Sequence, residues 1–372
     1  MPALDRVKDF FIKNILIPKV FRIDIPGYVA GKFYTIEGQS VFVRNVFVPE
    51  TFFIKLEHLV IKEMGAEGVI QLYRIGKQFG YRFSQTNRFP LDNPAKAIVL
   101  VASFFETLYA DSIKSKVDIP NKILVLDTKG LVITRENGGG YILTIGGCAG
   151  IWGYLVGDYS VECSSRKIGN EEYELVSAAP SVLEKEHLDI VRCIEKPQKL
   201  NVTSYNLYNQ PPLEISETAP TIDKLMTESG VISYKGGRLH LSVSNVRFIP
   251  IEISLLSEVS ILPAKFVSKA AYDSFYEIGK NTTKQKDPYL FIAELLTAFG
   301  FGIVDVIVKK NSRVFNMRGY PYLTEAYKNT DFSFITSILR GFLDGNTLET
   351  HSAVGVSSKI SGNMFILTIE IK

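Results

Sequence analysis

An internal repeat constrains the fold of this chain more than any other feature. Four short stretches of the first half recur in the same order in the second half. The matching pairs are 45–49 with 245–250, 73–77 with 276–280, 153–157 with 341–345, and 164–170 with 357–363. Glycine and serine recur wherever a chain turns, so a single match carries little weight. Four matches in one order predict two divergent copies of one domain in tandem.

The length of the chain also favours two domains. Its 372 residues exceed the roughly 250–300 residues at which a single hydrophobic core stops growing. We predict a first copy at 1–180, a bridging helix with a linker at 181–220, and a second copy at 221–372.

The predicted bridge has two parts. Ser181 and Glu184 have the spacing of a capping box, which predicts a helix that runs to about Ile194. The residues that follow are polar and lead to Pro211 and Pro212, which is typical of a stiff linker.

Hydrophobic periodicity predicts the same order of helices and hairpins in both copies. In the first copy we expect helices at 3–17, from Pro49 onward, and at 67–83, 93–110 and 142–156, with strands at 33–36, 41–48, 122–127, 131–134 and 173–176, the last at a sheet edge. In the second copy we expect helices at 221–230, 263–280, 288–298 and 334–342, with strands at 238–243, 246–253, 303–308, 313–317 and 364–371. This order predicts an α/β fold, more narrowly α+β, built from helices and antiparallel hairpins.

Composition argues against several classes of protein. The chain is 46% hydrophobic and 22% charged, which is typical of a globular protein. Its 42 basic and 39 acidic residues give a net charge of +3, without the concentrated basic face of most nucleic-acid-binding proteins. No uncharged apolar run reaches the roughly 18–20 residues of a membrane span, and the N-terminus lacks a signal-peptide pattern. We therefore expect a cytoplasmic protein; abundant Ile, Val, Lys and Glu are compatible with a thermophilic source.

Cysteines and histidines form no metal-ligand pattern in the sequence. Cys148, Cys163 and Cys193 are too few and too scattered for a disulfide framework, and no histidine lies near a cysteine at ligand spacing. His58 is expected in a core or at its boundary, and His351 in an exposed loop. Because no nucleophile–base motif or paired carboxylates occur either, we predict no metal, no cofactor and no enzymatic activity.

A pattern of small residues carries a family resemblance. Cys148 is followed by Gly153 five residues on and by Gly157 four further on, within a predicted helix. This pattern resembles the last long helix of the 4-vinyl reductase domain family. The upstream hairpin that ends at 48–49 and the helix that contains 75–80 fit the same family.

The resemblance also has departures. Gly169 fits a later glycine of the family, but Ser165 and Tyr173 stand where the family has cysteines. Residues of the second copy that match the same pattern are Thr336, Gly341, Gly345 and Gly362, the last between Ser358 and Ile366. The loss of the cysteine pairs puts thiol or metal chemistry at these positions in doubt.

The resemblance implies an α/β domain with an internal apolar pocket that senses or carries a small molecule, often as a dimer. Core subunits of the TRAPP vesicle-tethering complex share this fold, with an apolar channel that takes a lipid chain. The candidate ligand-contacting residues in this chain are Phe79, Tyr81, Phe83, Phe105, Tyr109, Cys148, Trp152, Gly153 and Gly157. Core packing of the aromatic residues, tight helix packing at the glycines and burial of Cys148 as a small hydrophobe are the alternatives.

Two functions remain open from the sequence. The first is non-enzymatic binding or sensing of an apolar small molecule or lipid, with a regulatory role, in which the first copy carries the ligand because only it keeps Cys148 and Trp152. The alternative is a scaffold or tether that binds protein partners, a second copy of the chain or a membrane surface. A transcription-associated regulator with weak DNA contact is a variant of the alternative. A closed cavity would favour sensing, whereas an exposed apolar patch would favour tethering.

Overall fold

A computed structural model describes most of the chain. The described residues are 21–34, 40–87, 89–131, 142–193, 219–235, 238–242, 246–282, 287–321, 332–361 and 364–372. The predicted N-terminal helix at 3–17 and the proline-containing part of the predicted linker lie outside these ranges.

The fold is of the α/β class, with antiparallel sheets. The described helices are α1 (Glu50–Met64), α2 (Ala66–Thr86), α3 (Pro94–Tyr109), α4 (Ile142–Leu155), α5 (Pro180–Lys185), α6 (Ile222–Thr227), α7 (Ile253–Val259), α8 (Ala264–Asn281), α9 (Pro288–Ala298) and α10 (Ser333–Thr347). The described strands are β1 (Phe21–Ile25), β2 (Tyr28–Tyr34), β3 (Ser40–Pro49), β4 (Ser112–Asp118), β5 (Ile123–Lys129), β6 (Glu162–Gly169), β7 (Glu172–Ala178), β8 (Ile232–Lys235), β9 (Arg238–Leu241), β10 (Val246–Glu252), β11 (Ile303–Val308), β12 (Arg313–Arg318), β13 (Ala353–Ser361) and β14 (Met364–Ile371).

The chain divides into two compact units. The N-terminal unit contains Tyr34–Val41 and Phe53–Leu200, and the C-terminal unit contains Met1–Phe33, Phe42–Phe52 and Asn201–Lys372. The sequence predicts a first copy at 1–180. In the structure, most of β1, β2 and β3 groups with residues 201–372 instead.

Each unit contains the same run of seven elements. In the N-terminal unit, α2 and α3 precede the β4–β5 hairpin, α4 and the β6–β7 hairpin, and the sheet order is β4-β5-β7-β6. In the C-terminal unit, α8 and α9 precede the β11–β12 hairpin, α10 and the β13–β14 hairpin, and the sheet order is β11-β12-β14-β13. Each four-stranded sheet thus has the second and fourth strands of this run at its centre.

Glycines let two helices of the N-terminal unit approach each other closely. A Cβ atom added to Gly76 on α2 would lie 2.1 Å from the carbonyl oxygen of Leu143 on α4. One added to Gly146 on α4 would lie 2.2 Å from the carbonyl oxygen of Tyr73 on α2. Only glycine fits such an approach of one backbone to another.

The C-terminal unit repeats this contact between α8 and α10. A Cβ atom on Gly279 would lie 2.2 Å from the carbonyl oxygen of Phe342, and one on Gly345 would lie 2.2 Å from that of Tyr276. Gly146 approaches Tyr73, and Gly345 approaches Tyr276, its match in the sequence, so Gly345 corresponds to Gly146. The predicted match of 153–157 with 341–345 is therefore wrong in register. Because α4 contains several glycines, a short glycine motif aligns with it in more than one register.

A six-stranded sheet belongs to the C-terminal unit, with the order β1-β2-β3-β10-β9-β8. β3 and β10 run antiparallel, and Val48 lies opposite Ile249. These two residues precede the prolines of the matching stretches 45–49 and 245–250, so two similar segments pair with each other. Arg44 on β3 is buried and donates hydrogen bonds to the carbonyl oxygens of Gly27, Gly300 and Gly319.

Three predicted features differ from the structure. The strand expected at 122–127 is β5, whose hairpin partner is β4 with the turn at 119–122; residues 132–134 of the strand expected at 131–134 lie outside the described residues. The strand expected at a sheet edge at 173–176 is β7, which lies between β5 and β6. The helix expected from Ser181 to about Ile194 ends at Lys185, without a side-chain cap at its start. His187 then adopts a left-handed backbone conformation with φ of 55°, which breaks the helix.

Candidate functional site

Six aromatic rings of the N-terminal unit form one cluster around Phe83. The rings belong to Phe79, Phe83, Phe89, Phe104, Phe105 and Tyr109. The ring centroid of Phe83 lies 5.8 Å from that of Phe79 and 6.0 Å from that of Phe105, which lies 5.2 Å from Tyr109. These separations are favourable for aromatic pairs. The structure thus brings together four of the predicted site residues.

The cluster is buried only at its centre. Phe83 is 5% exposed, whereas the other five rings are half-buried. On α3, Val99 and Leu100 are 58% and 56% exposed, and Leu100 lies one turn before Phe104 on the same helical face. An apolar surface therefore extends from the buried ring to exposed aliphatic side chains, and we call it the α3 surface.

Tyr81 lies in a separate ring group. Its ring centroid is 5.3 Å from those of Tyr154 and Tyr159, in edge-to-face geometry. Burial raises the pKa of the Tyr154 and Tyr159 hydroxyls. No ring contact joins this group to the Phe83 cluster among the aromatic pairs of the described residues, so Tyr81 stands apart from the other predicted aromatic residues.

Trp152 anchors α4 to a turn. The side chain is completely buried, and its indole N–H donates a 2.8 Å hydrogen bond to the carbonyl oxygen of Lys122 in the β4–β5 turn. Trp152 thus fixes how α4 packs on its sheet.

The two predicted glycines have local structural explanations. Gly157 has φ of 64° at the end of α4, and its N–H donates to the carbonyl oxygen of Tyr154 while that of Asp158 donates to Gly153. This pair of hydrogen bonds is a Schellman motif, in which glycine terminates the helix. A Cβ atom on Gly153 would lie 3.0 Å from the carbonyl oxygen of Asp158, so the returning chain crosses the helix there.

A buried polar cluster, which the sequence did not predict, joins two side chains of α2 to Glu162 at the start of β6. The Lys77 Nζ atom is 2.8 Å from Glu162 Oε2, and both side chains are buried. The Tyr73 hydroxyl donates a 2.7 Å hydrogen bond to Glu162 and accepts one of 2.8 Å from the backbone N–H of Cys163. Burial, and then the charge of Glu162, raise the pKa of Tyr73.

The segment after α5 completes this cluster. The backbone N–H of Cys193 donates to Glu162 Oε1 at 2.9 Å, and its carbonyl oxygen accepts from Lys77 at 3.1 Å. The Lys77 ammonium also lies 4.5 Å from the centroid of the Tyr159 ring, within cation–π range. Lys77 and Glu162 are therefore a buried ion pair with several hydrogen bonds.

Cys148 lies half-buried on α4 and Cys163 lies buried on β6, both as free thiols. The sequence placed Cys148 among the candidate residues; burial raises the pKa of the Cys163 thiol. Fifteen residues separate the two along the chain, and α4 packs on the sheet that contains β6.

A second buried polar chain occupies the C-terminal unit. His351 Nδ1 lies 2.8 Å from Asp344 Oδ1, and His351 Nε2 lies 3.0 Å from the Tyr289 hydroxyl. The Tyr272 hydroxyl donates to Asp344 Oδ2 at 2.8 Å; burial, and then this hydrogen bond, raise its pKa to about 12. His351 is buried and His58 is exposed, so both sequence predictions for histidine are wrong.

Comparison with protein-family models found no match, and comparison with curated proteins found none either. Within the described residues, no helix is long and apolar enough to cross a membrane. In the same part of the chain, no group of three or more His, Cys, Asp or Glu side chains is arranged to hold a metal ion.

Proposed function

We propose that the chain is a non-enzymatic protein that binds an apolar small molecule or lipid at the α3 surface of its N-terminal unit. The observation that carries this proposal is the Phe83 cluster, whose half-buried rings lie beside the exposed Val99 and Leu100. A contiguous exposed apolar patch marks a binding surface, and it fits the tethering alternative as well. We propose a lipid acyl chain as the occupant because the patch leads inward to the buried Phe83 ring; a protein partner is the alternative if palmitate does not bind.

The internal polar clusters support a binding role over a catalytic one. Lys77, Glu162 and Tyr73 in one unit, and Asp344 and His351 in the other, are buried and make their hydrogen bonds to other protein groups. Buried polar groups with such partners stabilise a fold. This arrangement favours a scaffold that holds the α3 surface in place.

The regulatory role that we propose rests on the resemblance to the 4-vinyl reductase domain family, which remains a prediction. The shared element order of the two units supports a duplication. We propose that the copies have diverged, with the ligand held by the first, and that the protein works in the cytoplasm.

Binding of palmitate, measured by native mass spectrometry and by titration, tests the proposal. Leu100→Ser removes an exposed leucine from the α3 surface, so we expect palmitate to bind at least tenfold more weakly. Burial of one leucine side chain contributes roughly 1.5–3 kcal/mol, and about 1.4 kcal/mol corresponds to a factor of ten.

Leu290→Ser is the matched control, because Leu290 is 49% exposed on α9, which follows α8 as α3 follows α2. We expect palmitate affinity within twofold of wild type. Equal losses in both variants, or no palmitate bound by the wild-type protein, would contradict the proposal.

A further inference from the structure

The C-terminal unit leaves one edge of its four-stranded sheet open. That edge is β13, which pairs with β14 on one side and is exposed over eight of its nine residues. Two of the exposed side chains, Val356 and Ile360, are apolar and are 41% and 52% exposed. They lie opposite Ile369 and Phe365 of β14, whose side chains are buried in the core. Because opposite residues share a sheet face, Val356 and Ile360 extend the core-facing side of the sheet beyond its covered part.

The matching edge of the N-terminal unit is closed. β6 is the edge strand at the same place in that sheet, and its first three residues are buried. The backbone N–H of Cys163 on β6 donates a hydrogen bond to the Tyr73 hydroxyl. Farther along, the matched stretches place Lys167 where β13 has Ile360. A charged side chain within an edge strand keeps other strands away, so the first copy protects an edge that the second leaves apolar.

The sequence of β13 is complementary to itself in one register. In a two-fold symmetric antiparallel pair, opposite residues lie on the same face, so the symmetry axis passes through one residue. An axis at Ser358 puts Val356 opposite Ile360 of the second copy, twice, and β-branched cross-strand pairs stabilise a sheet. The one charged side chain of β13, that of Lys359, then lies opposite Ser357 of the second copy.

Other symmetric registers fit less well. An axis at Ser357 leaves Val356 opposite Ser358, and an axis at Lys359 puts two lysines opposite each other, which is destabilising. The register centred on Ser358 pairs 355–361 of both copies. It therefore leaves out the irregularity of β13 between Ala353 and Gly355.

We propose that two copies of this chain associate through β13, as antiparallel strands centred on Ser358. The two four-stranded sheets join into one, and the backbone groups on the outer edge of each β13 gain partners. Val356 and Ile360 lose exposed apolar surface in the same step. The surface lies in the C-terminal unit, so the association does not depend on a ligand at the α3 surface of the N-terminal unit.

Sedimentation equilibrium of the full-length protein at several concentrations tests the proposal, and we expect a reversible monomer–dimer equilibrium. Ser357→Glu places a carboxylate opposite Lys359 of the second copy in two symmetric pairs, so the dissociation constant of the dimer should fall about fivefold at low salt. Ser358→Glu places two carboxylates opposite each other at the axis, so that constant should rise about fivefold.

The two variants are matched controls for each other. Both add one negative charge at neighbouring exposed residues of the same strand, so a general effect of charge would change both dissociation constants in the same direction. Thermal unfolding followed by circular dichroism should be the same as for wild type in both. Changes of the same sign in the two variants would overturn the proposal. So would a wild-type chain that stays monomeric up to roughly 1 mM, which would leave β13 to an extended segment of another protein.

Discussion

Lys77 shows how strongly this fold relies on a single buried charge. Its side chain has no exposed surface, and its ammonium is held by Glu162, by the carbonyl oxygen of Cys193 and by the ring of Tyr159. A buried ion pair contributes little net stability compared with apolar residues, but loss of one partner leaves the other charge buried and unpaired.

We predict that Lys77→Met lowers the free energy of unfolding by about 3–5 kcal/mol, because Glu162 loses its counter-charge. Urea denaturation followed by Trp152 emission measures the change; Trp152 is the only tryptophan and belongs to the N-terminal unit.

Lys116→Met provides the control, because Lys116 is 72% exposed in its ion pair with Asp127. An exposed pair of this kind contributes about 0–1 kcal/mol. Similar losses in the two lysine variants would show that burial does not decide the effect.

The sequence predicted part of the residue-scale picture. Aromatic residues one turn apart in two neighbouring helices place Phe79, Phe83, Phe105 and Tyr109 in one cluster, as observed. The burial of Lys77 is not predicted from the sequence. The matching Lys280 of the second copy is exposed, so the repeat does not mark this position as buried. A buried ion pair depends on a partner 85 residues away in sequence, which local patterns do not specify.

At the scale of elements, hydrophobic patterns miss most strands at sheet edges. Of the six edge strands among the described residues, β1, β4, β6, β8 and β13 are not predicted, and only β11, expected at 303–308, is. An edge strand has one partner and keeps much of its surface in water, as β13 does over eight of its nine residues. Without a buried face, the alternation that marks a strand disappears.

Helix starts were easier to predict, because their signals are local. Asn93 accepts a hydrogen bond from the backbone N–H of Lys96 at the start of α3, and Thr221 accepts one from that of Lys224 at the start of α6; the predicted helices 93–110 and 221–230 begin at these two residues. The predicted cap at Ser181 fails; Pro180 starts α5 instead.

Adjacent glycines on α4 allow a sharp test of the close helix contact. We expect Gly146→Ala to destabilise the N-terminal unit by about 2 kcal/mol or more, because its Cβ atom would lie 2.2 Å from the Tyr73 carbonyl oxygen and the backbone would have to shift. Urea denaturation monitored by Trp152 emission measures the loss.

Gly147→Ala is the neighbouring control. The nearest atom to its Cβ would be 3.8 Å away, an ordinary contact, and alanine favours a helix over glycine by about 1 kcal/mol. We expect unchanged or higher stability. The steric account fails if both substitutions destabilise the unit equally.

At the scale of the whole molecule, the repeated sequence predicted two similar units but not how the chain is shared between them. β3 comes from the first half of the chain and pairs with β10 from the second. Sequence similarity marks both segments as strands, yet it contains no information about which strands pair. A register in which Val48 faces Ile249 follows from long-range packing alone.

This sharing predicts that residues 219–372 do not fold alone. Without β3, the β10 strand loses a neighbour in its sheet, and the carbonyl oxygens of Gly300 and Gly319 lose the hydrogen bonds from Arg44. Unpaired strand edges expose hydrogen-bonding groups that promote aggregation. The isolated fragment should therefore aggregate or lack cooperative thermal unfolding, as measured by size-exclusion chromatography and circular dichroism.

A full-length chain cleaved at a protease site inserted within 201–210 is the control, because it also has a break in the chain but retains β3 and Arg44. We expect the cleaved protein to stay folded, and a cooperatively folded 219–372 fragment would contradict the dependence on β3.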